Sequence, residues 1–344
     1  MNRSPSEKSD LKTTSIRSSA NARRTANALT VAAVATMLPF GSLPARAQDA
    51  EVSTSPPSAV AKEPLPQRFH AISNLEFSNE YLTPRGMIVH EDGLTFQWLL
   101  LGLFNIYKGD GFINDFTLVG GMWNDFCSDG VSVNPPFGSE PKTSWVEIDP
   151  IAGVSFGFAK NFRLDLTYTA FNMQVLGIGT SQHLETKLSF NDSQYLKAFA
   201  LQPYMIFWKE LTGKATAAQV PYQVFLGEQG PPSSFYFEMG VTPSYTIKSI
   251  DLKLEVPCRM IIAADDFYGE YYAASSTVGL YEVGLRATYP LKFMPPGYGF
   301  WNFHAGVRYQ GFVDENLQGM QQFNAPGEAE DGSTQFYCGL NAFF

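Results

Sequence analysis

The sequence predicts an all-β protein, a transmembrane antiparallel up-and-down β-barrel of about 12 strands behind an N-terminal signal peptide. Three observations predict it. Apolar and polar residues alternate along segment after segment from residue 69 onward. Short and long connections alternate between those segments. The chain also ends on an alternating stretch, "STQFYCGLNAFF", in which Phe336, Cys338, Leu340, Ala342 and the terminal Phe344 share one parity.

Composition agrees with this. The chain has 344 residues, a length that single β-barrels reach. Charged residues are 17%, against about 25% in average soluble proteins. Aromatic residues are 14%, led by 28 Phe and 16 Tyr, which suits strands better than helices. From residue 69 onward no apolar run reaches the ~18 residues of a membrane-spanning helix, so a membrane would be crossed by strands.

Residues 1–47 read as a signal peptide. A basic, Ser-rich stretch with Arg17, Arg23 and Arg24 precedes the apolar run "ANALTVAAVATMLPFGSLP". That run ends in Ala45-Arg46-Ala47, the small-x-small pattern of a cleavage site. An anchor helix or a disordered tail is the plainer alternative. Residues 1–47 hold seven of the 24 Lys+Arg and two of the 33 Asp+Glu, so the remainder carries 17 − 31 = −14. Such a charge excludes nucleic acid as a natural partner. Residues 48–68, rich in Pro, Ser and Ala, read as a disordered leader, and 69–344 as the barrel. Cys127, Cys258 and Cys338 are too few and too widely spaced for a disulfide framework or a zinc signature.

The two-residue period is cleanest in "IDLKLEVPCRMII". Ile250, Leu252, Leu254, Val256, Cys258, Met260 and Ile262 share one side; Asp251, Lys253, Glu255 and Arg259 share the other. Successive strand side chains point to opposite faces, so this strand has a greasy face and a charged face. In "NFRLDLTYTAFN", Phe162, Leu164, Leu166 and Tyr168 oppose Arg163, Asp165, Thr167 and Thr169. The expected strands are 71–82, 94–106, 112–124, 144–158, 161–173, 183–190, 196–208, 235–247, 250–262, 277–289, 300–312 and 334–344. Their connections alternate between short turns ("YKGDG", "AKN", "NDSQY", "KS") and longer stretches such as 125–143, 209–234 and 313–333. Pro150, Pro203, Pro243 and Pro257 fall inside expected strands, which a closed barrel tolerates poorly.

The last strand should pair with the first and leave no free edge, with Phe336, Leu340 and Phe344 toward lipid. The terminal Phe344 resembles the C-terminal signal of Gram-negative outer-membrane proteins, read by the barrel-assembly machinery. That resemblance implies the bacterial outer membrane, with its lipid and lipopolysaccharide as partners. "FSNEYLTPRG" is also similar to the S-x-Y-x-x-R-G opening of the TorF-like putative channels. Ser78, Tyr81, Arg85 and Gly86 are the matching residues, with spacing that departs by one or two positions.

Lipid-facing positions must be apolar, so the polar parity should face the lumen. It carries Glu147, Asp149, Arg163, Asp165, Glu185, Lys187, Asp251, Lys253, Glu255, Arg259, Glu282, Arg286, His304 and Arg308. The functional expectation is a passive channel for small hydrophilic solutes through a charged lumen, with no cofactor, no metal and no catalysis. The plain alternative is a filled barrel whose charges merely pair with one another. Two further alternatives are a lipid hydrolase at the outer rim and an adhesive barrel acting through its loops. For hydrolysis, His183 stands beside Ser181, while the His-x-Ser-Asn signature of outer-membrane phospholipases is absent. Trp98, Tyr168, Tyr289 and Trp301 fit lipid-facing aromatic positions.

Overall fold

The structure is a computed structural model that describes residues 68–132, 141–175, 180–212, 234–265, 267–269, 276–324 and 331–344. The expected signal peptide and almost all of the expected leader fall outside these residues.

The wall consists of β1 (Phe69–Ser78), β2 (Thr95–Lys108), β3 (Ile113–Ser132), β4 (Lys142–Phe158), β5 (Phe162–Met173), β6 (Ser181–Phe190) and β7 (Tyr204–Thr212). It continues through β8 (Phe235–Val241 with Ser244–Ile247), β9 (Leu252–Glu255 with Cys258–Ala263), β10 (Val278–Pro290), β11 (Phe300–Phe312) and β12 (Gly332–Phe343). Every neighbour pairs antiparallel, so the twelve expected strands are present. The sheet closes where β1 meets β12, with Ile72 opposite Phe343 and Ser78 opposite Tyr337. Beyond the last pair, the Phe344 N–H donates to the Ala71 carbonyl at 3.0 Å. No backbone edge is left to satisfy in lipid.

The prolines that argued against closure are accommodated individually. At Pro150 the β4–β5 ladder skips from Ile148↔Asn172 to Ile151↔Thr169. Side chains fill the gap: Asp149 Oδ1 accepts the Asn172 N–H, and Asn172 Nδ2 donates to the Ile148 carbonyl, both at 3.0 Å. Pro243 and Pro257 interrupt β8 and β9 in adjoining places, yet the Pro243 carbonyl still accepts the Val256 N–H at 3.0 Å. Pro203 lies just before β7. The strand expected at 196–208 runs instead from Tyr204 to Thr212, because residues 193–199 coil into a short helix α1 (Ser193–Leu196) and a 3-10 turn. Asp192 stabilises that turn by accepting the Leu201 and Gln202 N–H groups at 2.8 and 3.0 Å. The connection expected to be short therefore spans 191–203.

The outer face suits lipid. Near the rim that carries the long loops, Phe77, Phe96, Phe126 and Trp145 form a row with centroids 5.1, 5.7 and 6.0 Å apart. Toward the turn rim, Phe112, Phe158, Phe162, Phe190 and Tyr195 form a second row at 5.9, 5.5, 4.7 and 5.9 Å. Trp145 and Phe158 are separated by about 13 residues of β4, roughly 43 Å of strand, or about 30 Å along a membrane normal at a tilt of about 45°. Phe336 and Phe344 are exposed on this face, as their parity predicts.

The inner face is less open than the sequence implied. Residues 79–94 were expected partly as strand and partly as an external loop. Of these, residues 80–90 turn inward instead and form a small hairpin, Tyr81–Leu82 against Ile88–His90, buried within the wall, while residues 91–94 stay exposed. A second inward element is α2 (Glu315–Asn324). Asp314 caps it, with Oδ1 accepting the Asn316 and Leu317 N–H groups at 2.8 and 3.2 Å. Leu82, Ile88, Leu317 and Met320 pack with Trp123, Trp208, Tyr236, Phe267 and Leu280 into one apolar cluster. Gly86 is required at the contact. Its φ is +94°, and a Cβ there would meet Leu280 Cδ2 at 2.8 Å and Leu317 Cδ2 at 2.9 Å.

Leu285 is 50% exposed on the outer face of β10, midway between the outward Tyr281 and Tyr289. Leu285→Arg should cost about 2–4 kcal/mol in lipid. Reversible urea unfolding in phospholipid vesicles, followed by tryptophan fluorescence, measures the loss.

Candidate functional site

The alternation that greases the outside delivers polar side chains to the inside, and cross-strand register then decides who meets whom. Register places Arg259 of β9 opposite Glu282 of β10 and beside Glu238 of β8. Its guanidinium reaches Glu238 Oε2 at 2.7 Å and Glu282 Oε2 at 2.8 Å. Glu238 also accepts from the Tyr204 hydroxyl at 2.8 Å, and Glu282 from Gln310 Nε2 at 2.8 Å. Among the described residues this is the most completely paired group on the wall.

Similar pairings line the rest of the inner wall. Glu255 accepts from Lys253 at 2.8 Å and from Arg286 Nη2 at 2.6 Å. Arg163 contacts Asp115 at 3.3 Å and donates to Ser155 Oγ at 2.5 Å, while Ser155 donates to Asp165 at 2.5 Å. His304 meets Glu76 at 2.9 Å through Nε2 and Asn341 at 2.9 Å through Nδ1. Arg308 Nε donates to Gln335 at 2.5 Å. Lys187 sits over the Tyr204 ring, with Nζ 4.6 Å from its centroid.

Of the fourteen residues expected along the lumen, thirteen lie on inward positions of strands. Asp251 does not. It occupies the tight β8–β9 turn with φ +53° and pairs with Lys292 of the β10–β11 turn. The strand expected to start at 250 starts at Leu252. At this exposed rim the Asp251 carboxylate holds the Lys292 ammonium above its ordinary range.

Glu147 and Asp149 sit higher, under the hairpin. Glu147 Oε2 accepts from the Tyr81 hydroxyl at 2.7 Å. The hairpin is also pinned by His90 on Asp125 at 3.1 Å and by Gln321 of α2. Gln321 accepts the Ile88 N–H at 3.1 Å and donates to the Gly86 carbonyl at 2.8 Å. Arg85, at its tip, stacks on the wall with Cζ 4.7 Å from the Phe171 centroid and 5.1 Å from that of Trp208. Its carbonyl accepts from the Tyr268 hydroxyl at 3.0 Å.

Sequence reasoning missed Glu76, Asp115 and Glu238 as partners. Each lies on the inward parity of its strand, so register alone could have found them. It also missed Arg85 as an interior group, since nothing periodic marks a loop that folds inward.

Near Arg85, Ser181 and His183 of β6 meet through Oγ and Nε2, and Ser181 reaches Glu210 of β7 at 3.3 Å. A histidine touching a serine can act as its base, but a catalytic arrangement also orients the histidine through its other nitrogen. Here the carboxylate meets the serine, and His183 Nδ1 has no hydrogen-bond partner. The group is buried inside the barrel, away from the lipid-facing side. Among the described residues no group of three His, Cys, Asp or Glu is placed to hold a metal ion.

The chain is thus an all-β, closed twelve-stranded antiparallel barrel with a polar inner wall and an apolar, aromatic-girdled outer one. No protein-family model matches the sequence. No curated protein matches it either. Among solved structures it is similar to a porin refined at 1.8 Å, with 8% identity over 80% of this chain and 99% of that one and a TM-score of 0.32. It is also similar to OccAB2 of Acinetobacter baumannii, with 9% identity over 80% and 97% and a TM-score of 0.24.

Arg259→Met removes the cation between two buried carboxylates and should destabilise the barrel by about 3–5 kcal/mol. The shift in urea midpoint measures it, and Glu238→Gln combined with Arg259→Met should recover part of the loss. His183→Ala should leave hydrolysis of p-nitrophenyl butyrate and of short-chain phospholipid at the blank rate, as in the unsubstituted chain.

Proposed function

We propose that this chain is a bacterial outer-membrane barrel that passes small hydrophilic solutes passively along its charged lumen, without cofactor or covalent chemistry. The observation that carries the reading is the inner wall of β5, β9, β10 and β11. Its inward side chains there include Arg163, Asp165, Lys253, Glu255, Arg259, Glu282, Arg286, His304 and Arg308. A barrel built only to be stable is better served by apolar filling, because a buried ion pair at best breaks even against well-packed hydrophobic residues. Charges of both signs suit an aqueous path without strong ion selectivity.

The hairpin and α2 narrow the loop-rim half, so passage is restricted and depends on their displacement. The outer girdles fit outer-membrane lipid and lipopolysaccharide, and Phe344 fits a C-terminal signal for the barrel-assembly machinery.

Single-channel recording of the refolded chain in a planar bilayer tests this. Small, reproducible steps are expected. Replacing both Leu317 and Met320 by Ser should raise the conductance or the open time by loosening the plug. Glu255→Lys should move the reversal potential toward anions. A silent bilayer from both the unsubstituted chain and the loosened variant, each shown to be folded by heat-modifiable mobility, would overturn the reading.

A further inference from the structure

The outer wall steps down between β5 and β9. Phe162 stands opposite Phe190, whose N–H donates to the Pro203 carbonyl at 3.0 Å, and further along Val241 stands opposite Cys258. Two bulky rings thus give way to shorter side chains. One row nearer the middle of the wall, Leu188, Met205, Met239 and Met260 stand opposite one another on β6, β7, β8 and β9. These rows line a groove of about 570 Å³. Its methionine row has the lipid-facing parity, with Met205 and Met239 exposed. Methionine is unbranched and flexible, so a row of three adapts to an irregular apolar partner.

The turn-rim end of the groove is basic. Tyr195 stacks on Phe190, and Lys197 follows two residues later. The 3-10 turn at 197–199 lies beside Ser244–Ile247 of β8, and the turn that follows carries Lys248. Both lysines are exposed, and among the described residues neither has an ion-pair partner. The nearest acids in these two turns are already used. Asp192 accepts the Leu201 and Gln202 N–H groups, and Asp251 holds Lys292. The pattern extends around the rim, where Lys108, Lys160, Lys197, Lys248 and Lys292 put one lysine at each turn.

We infer that this groove binds an acyl chain of an anionic phospholipid from the leaflet at the turn rim, with the phosphate on Lys197 and Lys248. A lysine ammonium suits a phosphate as a point charge. A zwitterionic phospholipid would fill the groove but bring its own cation to the lysines. A second copy of the chain is the other occupant that an apolar wall could take. A two-fold pair buries the same patch on both partners, and both copies keep one orientation in a bilayer. Their lysines would then face like charge with no free carboxylate between them. The inference goes beyond the proposed channel and needs only the membrane-spanning wall, so a silent bilayer leaves it standing.

The test uses the full chain refolded into phosphatidylcholine vesicles. A minor share of the lipid is phosphatidylglycerol, or in a parallel sample phosphatidylcholine, with a photoreactive diazirine on its acyl chain. Mass spectrometry reads which residues are labelled. Phosphatidylglycerol should label Met205, Met239 and Met260 about tenfold more than phosphatidylcholine does, as two lysines at a membrane surface imply. Leu285, outward on β10, should be labelled equally by both. Lys197→Gln with Lys248→Gln should remove the preference at the methionines. Met239→Trp fills the groove and leaves both lysines in place, and it should cut labelling of Met205 and Met260 by phosphatidylglycerol to the level seen with phosphatidylcholine. Heat-modifiable mobility shows that each variant is folded. Equal labelling of the methionines by the two lipids, a preference that survives the double lysine substitution, or unchanged labelling in Met239→Trp would each overturn the site. A dimer in native mass spectrometry that Met239→Trp dissolves would overturn it in favour of a second copy.

Discussion

The rest of the structure depends on the seam between β1 and β12. In hydrocarbon an unpaired backbone N–H or C=O costs several kcal/mol, so a sheet can stay there only if it has no edge. The pairs from Ile72↔Phe343 to Ser78↔Tyr337 remove that edge. Once the sheet is closed, side chains have only two places to go, lipid or lumen. The strict alternation of β5 or β9 is the consequence. An Arg at position 259 is tolerable because its parity sends it inward, and one position away it would lie in lipid.

Closure moves the electrostatic problem inside. Charges kept out of lipid gather on the inner wall, and cross-strand register neutralises many of them in pairs. Arg259 between Glu238 and Glu282 is the fullest example, and Glu255 between Lys253 and Arg286 is the next. The loop-rim half solves the problem differently. There the inward positions include Trp123, Ile206, Trp208 and Tyr236, which need apolar cover, and the hairpin and α2 supply it. The two halves of the lumen follow from which residues alternate with the lipid-facing ones, not from a change of fold.

Twelve strands were legible because a two-residue period leaves few alternatives. The errors fall where that period stops carrying information. The strand expected at 196–208 moved because a short helical turn and Asp192 captured the backbone before Pro203, and nothing in the parity of that stretch opposed it. Asp251 keeps the parity of its strand but lies in the turn, where parity has no meaning. The Ser78, Tyr81, Arg85 and Gly86 stretch was read as the end of a strand and an external loop. It carries no two-residue period, and only the tertiary partners Glu147, Gln321 and Leu317 reveal that it points inward. Parity alone placed thirteen charged residues on the inward side of their strands; their partners needed register, which one sequence does not contain.

The same partners make the plug cooperative. The hairpin offers its polar backbone to groups on other loops: Ile88 N–H and Gly86 C=O to Gln321, and Arg85 C=O to Tyr268. If α2 alone withdrew, the Gly86 carbonyl would lose Gln321, at about 1–3 kcal/mol. If the hairpin alone withdrew, Glu147 would lose Tyr81, and Leu317 would face the space left by Gly86. Either partial state leaves contacts of the closed one unmade. The hairpin, α2 and the Tyr268 segment are therefore held as one unit.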